Sequence, residues 1–374
     1  MFVLFNFIII ENPFKNKVML LHIMFHSELL QTVRKICAPG KGILAADESI
    51  GTIGKRFDAI GIENNHDNRF AYRDLLFQTK GLNQHISGVI TYEETLFDEK
   101  DGTRLIQPLL DNDIVVGIKV DKGVKPLYHQ DETVTQGIDD LDVRCKKYYD
   151  AGARFAKWRA VLKIDVNNNL PSDISVHENA TTLARYASIC IQNGLVPIVE
   201  PEILMDGDHN IQTSHDVSVR VLSHVYSELI RHGVDLKCTL LKPNMVRQGV
   251  DCKDEIDWQK VGYYTVRAFQ QTVPVSMPGV VFLSGGMSEL EASIALNEIN
   301  KYDYPKPWRL TFSYGRALQA SVISAWGGQT ENIESAQKVL LTLAHNNGLA
   351  SQGKFEGNIA NTDGNTLHES NYVY

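Results

Sequence analysis

Charged residues stand inside or at the ends of short apolar runs, where a solvated charge has little reason to be. Asp47 closes the run Gly42-Ile43-Leu44-Ala45-Ala46, and Lys119 lies near the end of Val115–Val120. Lys157 and Arg159 sit within Arg154–Ala160, Glu200 and Glu202 end Val196–Ile203, and Lys242 follows Leu240-Leu241. Any one of these reads equally well as an exposed strand end. As a set they need partners, and one another is the obvious supply. Desolvation beside a second ammonium disfavours a lysine's charged form and frees its amine as a nucleophile. The chemistry this suggests is a Schiff base with a carbonyl compound.

A second group of residues points to phosphate. Ser284-Gly285-Gly286 ends one apolar run and leads towards Ser288, and Ser313-Tyr314-Gly315-Arg316 ends the next. Small residues let backbone N–H groups approach an anion, a following helix N-terminus favours negative charge, and Arg316 can grip it bidentately. Ser49, Thr52, Lys55 and Arg56 form another basic, hydroxyl-rich cluster, which reads as readily as an ordinary solvated helix start. Two phosphate sites on one substrate fit a sugar bisphosphate.

The elements that must position these groups alternate in type. Strand candidates are Gly42–Asp47, Gly88–Tyr92, Val115–Val120, Arg154–Ala160, Val196–Ile203, Cys238–Pro243, Val280–Gly286 and Leu310–Gly315. Between them run stretches of helical period. One spans Val176–Asn193 with Gly194 at its end, one opens at Ser214 and closes at Gly233, and one opens on the Ser288/Glu291 capping-box spacing. Strand–helix alternation predicts a parallel sheet, and eight units predict an α/β single-domain (β/α)8 TIM barrel. The glycine-rich turn of a doubly wound dinucleotide fold does not follow the first strand. In a barrel the active site lies at the C-terminal strand ends, where the charged residues fall. Strand alternation puts Lys157 with Arg159, and Glu200 with Glu202, on common faces.

Bulk composition of the 374 residues narrows the class without naming a reaction. Hydrophobic residues make 43% and charged residues 22%, ordinary for a packed domain. Basic and acidic residues give 37 − 45 = −8, a poor balance for wholesale binding of nucleic acid or an anionic membrane. The scattered cysteines Cys37, Cys145, Cys190, Cys238 and Cys252 lack CxxC spacing, which fits a reducing compartment rather than a disulfide framework. The opening MFVLFNFIII is too short to span a bilayer and lacks a secretory signal's flanks. The expected division is an atypical apolar extension over residues 1–26, a barrel over 27–345 and a mobile tail over 346–374 ending in Tyr374.

With these motifs in order, the chain closely resembles class I fructose-bisphosphate aldolase from about residue 27 to its C-terminus. The matching segments are Ala38-Pro39-Gly40-Lys41-Gly42-Ile43-Leu44-Ala45-Ala46-Asp47-Glu48-Ser49, Gly117-Ile118-Lys119-Val120-Asp121-Lys122-Gly123 and Phe155-Ala156-Lys157-Trp158-Arg159. They continue through Val196–Glu202, Leu240-Leu241-Lys242-Pro243-Asn244-Met245, Leu283–Gly286 and Thr311–Ala320. The resemblance implies metal-free, cofactor-free cleavage of fructose 1,6-bisphosphate to dihydroxyacetone phosphate and glyceraldehyde 3-phosphate. It implies a cytoplasmic homotetramer, with cytoskeletal or other protein partners in some relatives.

Carried over by motif, Lys242 is the Schiff-base lysine and Glu200 the general acid/base. Asp47 orients or deprotonates the C4 hydroxyl, and Lys157 and Glu202 tune the site's charge. Lys119 and Arg159 hold substrate polar groups. Ser284, Gly285, Gly286, Ser313, Gly315 and Arg316 match one phosphate site, Ser49, Thr52 and Arg56 the other, and Tyr374 a tyrosine that assists proton transfer. The chain departs from the family at Thr52, where many members have serine, and at Asn68, where several have arginine beside Arg69. Histidines do not cluster at metal-ligand spacing, which disfavours a metal-dependent aldolase. A transaldolase would not reproduce the whole motif set, and a purely scaffolding role would not require Lys242, Glu200 and Asp47 together.

Overall fold

The computed structural model describes residues 13–127, 131–357 and 366–370, with side chains of the first helix described from Phe25 onwards. Among these residues, eight parallel strands close into a barrel in chain order. They are β1 (Gly42–Ala46), β2 (Ile86–Thr91), β3 (Val115–Lys119), β4 (Phe155–Leu162), β5 (Val196–Ile203), β6 (Leu240–Leu241), β7 (Gly279–Phe282) and β8 (Arg309–Tyr314). β8 returns to β1 with Ile43 opposite Ser313 and Leu44 opposite Tyr314. Every residue of β1 to β7 is buried, as expected when helices cover a parallel sheet from outside and side chains fill it from within.

The barrel's lower interior is organised by Phe155 on β4. Its ring occupies the space that side chains on neighbouring strands would need. A Cβ placed on Gly117 would lie 2.2 Å from the ring, and one on Gly88 would lie 3.2 Å from it. Below this layer the helix Pro13–Ile36 packs across the N-terminal strand ends. Leu29, Val33 and Ile36 recur at i, i+4 and i+7 and join Ile43, Val196, Ile198 and Leu240 in one apolar cluster. The helix thus runs continuously through residue 26, where the extension was expected to end. Residues 1–12, including the apolar decapeptide, lie outside the described residues.

Three expected boundaries shift, each for a local reason. β6 pairs only at Leu240 and Leu241, because Leu236–Cys238 is a 3-10 turn and Pro243 carries no N–H to continue the ladder. The helix expected to open at Ser214 begins at Ile211, capped by Asn210, whose carbonyl oxygen accepts from Thr213 N–H at 2.9 Å. The last helix runs Ile333–Ala350, past the expected tail start. Asn347 looks like tail composition but is buried, where its side chain accepts from Ser293 Oγ at 3.0 Å. The Ser288/Glu291 capping box forms with both reciprocal bonds, at 3.2 and 2.9 Å. No helix among the described residues is long and apolar enough to cross a membrane.

Candidate active site

Strand geometry brings the charged residues to the C-terminal mouth. β4 and β5 pair so that Arg159 faces Glu200, and Lys119 on β3 lies opposite Lys157 on β4. Lys242 immediately follows β6, its N–H bonded to Val199 O at 2.8 Å, so the short ladder still aims the side chain inward. Asp47 follows β1. All are nearly inaccessible, with Lys157 0%, Asp47 and Glu200 2%, and Lys242 3% exposed.

Glu200 is shared by both lysines. Its Oε1 lies 3.2 Å from Lys242 Nζ and its Oε2 3.4 Å from Lys157 Nζ. Lys157 also reaches Asp47 Oδ2 at 2.8 Å. The result is a chain of alternating charge, Asp47–Lys157–Glu200–Lys242, which offsets the cost of burying each member. Burial alone would raise the Asp47 carboxyl, but the Lys157 and Lys242 ammoniums outweigh it and hold it below the ordinary carboxylate range. Glu202 is likewise held low: burial opposes this, and Arg159, Arg316 and Lys242 prevail. Arg159 Nε donates to Glu202 Oε2, and Lys119 Nζ donates to the Asp121 carboxylate at 2.5 Å.

One cavity gathers most of the predicted site residues. Asp47, Arg56, Glu200, Glu202, Lys242, Ser284, Gly285, Ser313, Gly315 and Arg316 line it. Lys119, Lys157, Arg159, Gly286, Ser49 and Thr52 do not line it, though Lys157 pairs with Asp47 and Glu200, and Arg159 with Glu202, which do. The Ser313 hydroxyl is buried without a hydrogen-bond partner among the described residues, a donor held ready at the cavity wall.

The second cluster expected from the sequence to bind phosphate is partly engaged in structure. Ser49 caps the helix Ile50–Asp58, accepting from Thr52 N–H at 3.3 Å, and its hydroxyl lies 3.0 Å from that of Thr52. Arg56 and Arg73 both donate to Glu48, which Gln319 Nε2 also reaches at 2.9 Å. Asn68 turns to Glu63 O at 2.8 Å, and Arg69 forks onto Glu94 through two 2.8 Å bonds. Glu48, Arg73, Asp121 and Gln319 are organising residues that pattern reading missed. Glu48, Asp121 and Gln319 lie inside the recognised motifs, which was the available signal.

The glycine-rich loop is occupied by the chain's own tail. Gly285 and Gly286 have positive φ, +57° and +88°. A Cβ on Gly286 would meet His368 Cα at 2.8 Å. Leu367 N–H donates to Gly286 O at 2.9 Å, Arg316 Nη1 donates to Leu367 O at 2.5 Å, and Glu369 lies 3.5 Å from Arg316. Residues 366–370 therefore lie across the predicted phosphate loops. Tyr374 falls outside the described residues.

Fold and mouth together define a (β/α)8-barrel enzyme with buried lysines, paired carboxylates and two glycine-containing loops at the strand ends. The sequence profile described as "Glycolytic: Fructose-bisphosphate aldolase class-I" matches residues 28–374. Fructose-bisphosphate aldolase from Schistosoma mansoni is 55% identical over 352 residues, 93% of this chain and 96% of that protein. The Dictyostelium discoideum enzyme is 56% identical over 336 residues, 89% and 94% of the two chains. A solved ternary complex of Plasmodium falciparum fructose-bisphosphate aldolase with TRAP and a small-molecule inhibitor superposes with a TM-score of 0.88 at 55% identity. That match covers 90% of this chain and 97% of the other. The chain belongs to the class I fructose-bisphosphate aldolase family. Its reaction is the reversible cleavage of fructose 1,6-bisphosphate into dihydroxyacetone phosphate and glyceraldehyde 3-phosphate, by the family's Schiff-base route.

Proposed function

We propose that Lys242 is the residue that forms the Schiff base and that Glu200 moves the protons around it. The observation that carries this assignment is Glu200 standing between Lys242 and Lys157, at 3.2 and 3.4 Å. Lys242 first passes an ammonium proton to Glu200, its freed Nζ adds to the ketone carbon, and the protons shed by nitrogen are relayed through Glu200 to the carbinolamine hydroxyl, which leaves as water. The protonated imine then accepts the electron pair of the breaking C3–C4 bond, so no free carbanion forms. The C4 hydroxyl proton passes to Glu200, with Asp47 orienting that hydroxyl as a fixed anion.

Lys157 keeps both carboxylates charged and placed, and Glu202 holds Arg159 while adding negative charge beside Lys242. Lys119 and Arg159 contact substrate oxygens. Ser284, Gly285, Gly286, Ser313, Gly315 and Arg316 bind one phosphate, and Ser49, Thr52 and Arg56 the other. Binding at the first site requires residues 366–370 to give up Gly286 and Arg316. That exchange couples phosphate arrival to tail movement, so Tyr374 protonates the enamine carbon while the site is closed. The same reading makes the protein a cytoplasmic homotetramer. A further protein-binding role rests on the Plasmodium falciparum relative, whose solved complex contains TRAP.

Replacing each lysine by methionine separates their roles. Lys242→Met should abolish cleavage and all borohydride-trapped adduct. Lys157→Met should lower turnover by about 10²-fold or more and still form adduct. Adduct in Lys242→Met at the wild-type level would refute the assignment.

A further inference from the structure

At the opposite end of the barrel, three side chains that the aldolase chemistry does not use converge on one point. His26 Nε2 lies 2.9 Å from Asp235 Oδ2, and the Cys238 thiol donates to that same oxygen at 3.8 Å. All three donor atoms fall within 4.8 Å of one another. His26 comes from the helix Pro13–Ile36, Asp235 caps the 3-10 turn Leu236–Cys238, and that turn feeds β6. Cys238 is buried, while the side chains of His26 and Asp235 are 45% and 38% exposed, so the cluster has a sulfur floor and an open side.

We propose that His26, Asp235 and Cys238 form a binding site for a zinc-like divalent transition metal that ties the N-terminal helix to the turn preceding β6. A tetrahedral ion with bonds of about 2.0 Å to nitrogen and oxygen and about 2.3 Å to sulfur sets its ligands roughly 3.3–3.6 Å apart. The observed separations bracket that range, so small side-chain rotations suffice. One thiolate, one imidazole and one carboxylate select zinc-like ions over magnesium or calcium, which prefer oxygen alone. Water entering from the open side completes the shell. The proton balance is simple: the thiol proton leaves to solvent, and the imidazole carries its proton on Nδ1 so that the Nε2 lone pair meets the ion.

His26 and Asp235 are 209 positions apart, so the ion would reinforce a long-range closure that packing and their own hydrogen bond already make. It would do so at the base of the barrel, leaving the catalytic mouth untouched.

The test uses the full chain, stripped with chelator, kept reduced and titrated with cobalt(II). One equivalent should produce a sulfur-to-cobalt charge-transfer band in the near ultraviolet, which zinc(II) then displaces. Cys238→Ser should lose the band, and His26→Gln should weaken cobalt binding by more than about tenfold. Both variants should cleave fructose 1,6-bisphosphate at the wild-type rate, showing that they are folded. Zinc(II) should raise the unfolding temperature of the wild type and leave that of Cys238→Ser unchanged. Absence of the band in the wild type, the same band in Cys238→Ser, or an equal zinc shift in both proteins would overturn the proposal and leave a hydrogen-bonded cluster only.

Discussion

Glu200 divides its two oxygens between two ammoniums, and that division is the residue-scale basis of the site. Asp47, Glu48, Asp121 and Glu202 are fully buried, which opposes ionisation, yet adjacent lysines and arginines hold each carboxyl below its ordinary range. The sign follows directly. Groups whose native values are depressed bind fewer protons folded than unfolded, so their stabilisation is complete above the ordinary carboxyl range, near about pH 4 to 5. It is lost as pH falls through their depressed native values. Acid titration followed by circular dichroism should therefore show a steep loss of stability below that range. Asp47→Asn should flatten this slope, and an unchanged slope would contradict the ionised network.

The strands and their contents were legible at the scale of elements because buried parallel strands read as continuous apolar runs. The alternation of Lys157 with Arg159 and of Glu200 with Glu202 translated directly into inward-facing pairs. Less legible was anything set by distant partners. Glu48 sits beside Asp47 in the sequence, but its bond to Gln319 spans 271 positions, and no local pattern announces it. Asn347 reads as tail until its burial against Ser293 is seen. Gly117 is a further case, being required by the Phe155 ring on the next strand rather than by a turn. Gly117→Ala should destabilise the barrel by about 1–3 kcal/mol, because overpacking must displace that ring. Denaturant unfolding measures this, and a cost near zero would show that Phe155 yields freely.

Across the whole molecule, the net charge of −8 gives no hint that Lys242, Arg56 and Arg316 line one cavity together with Asp47, Glu48, Glu200 and Glu202. The segment 366–370 lies over the mouth, using the same Gly286 carbonyl and Arg316 guanidinium that border the proposed phosphate loop. Removing Tyr374 should slow turnover by about 10²-fold while leaving Schiff-base formation at its wild-type extent. Equal turnover would separate the tail from catalysis. The central claim, that Lys242 is the nucleophile, is tested most directly by borohydride trapping with dihydroxyacetone phosphate followed by peptide mapping. The account predicts one stoichiometric adduct on the peptide containing Lys242. Label on Lys157 or Lys119 instead, or no label together with activity lost to chelator, would contradict it.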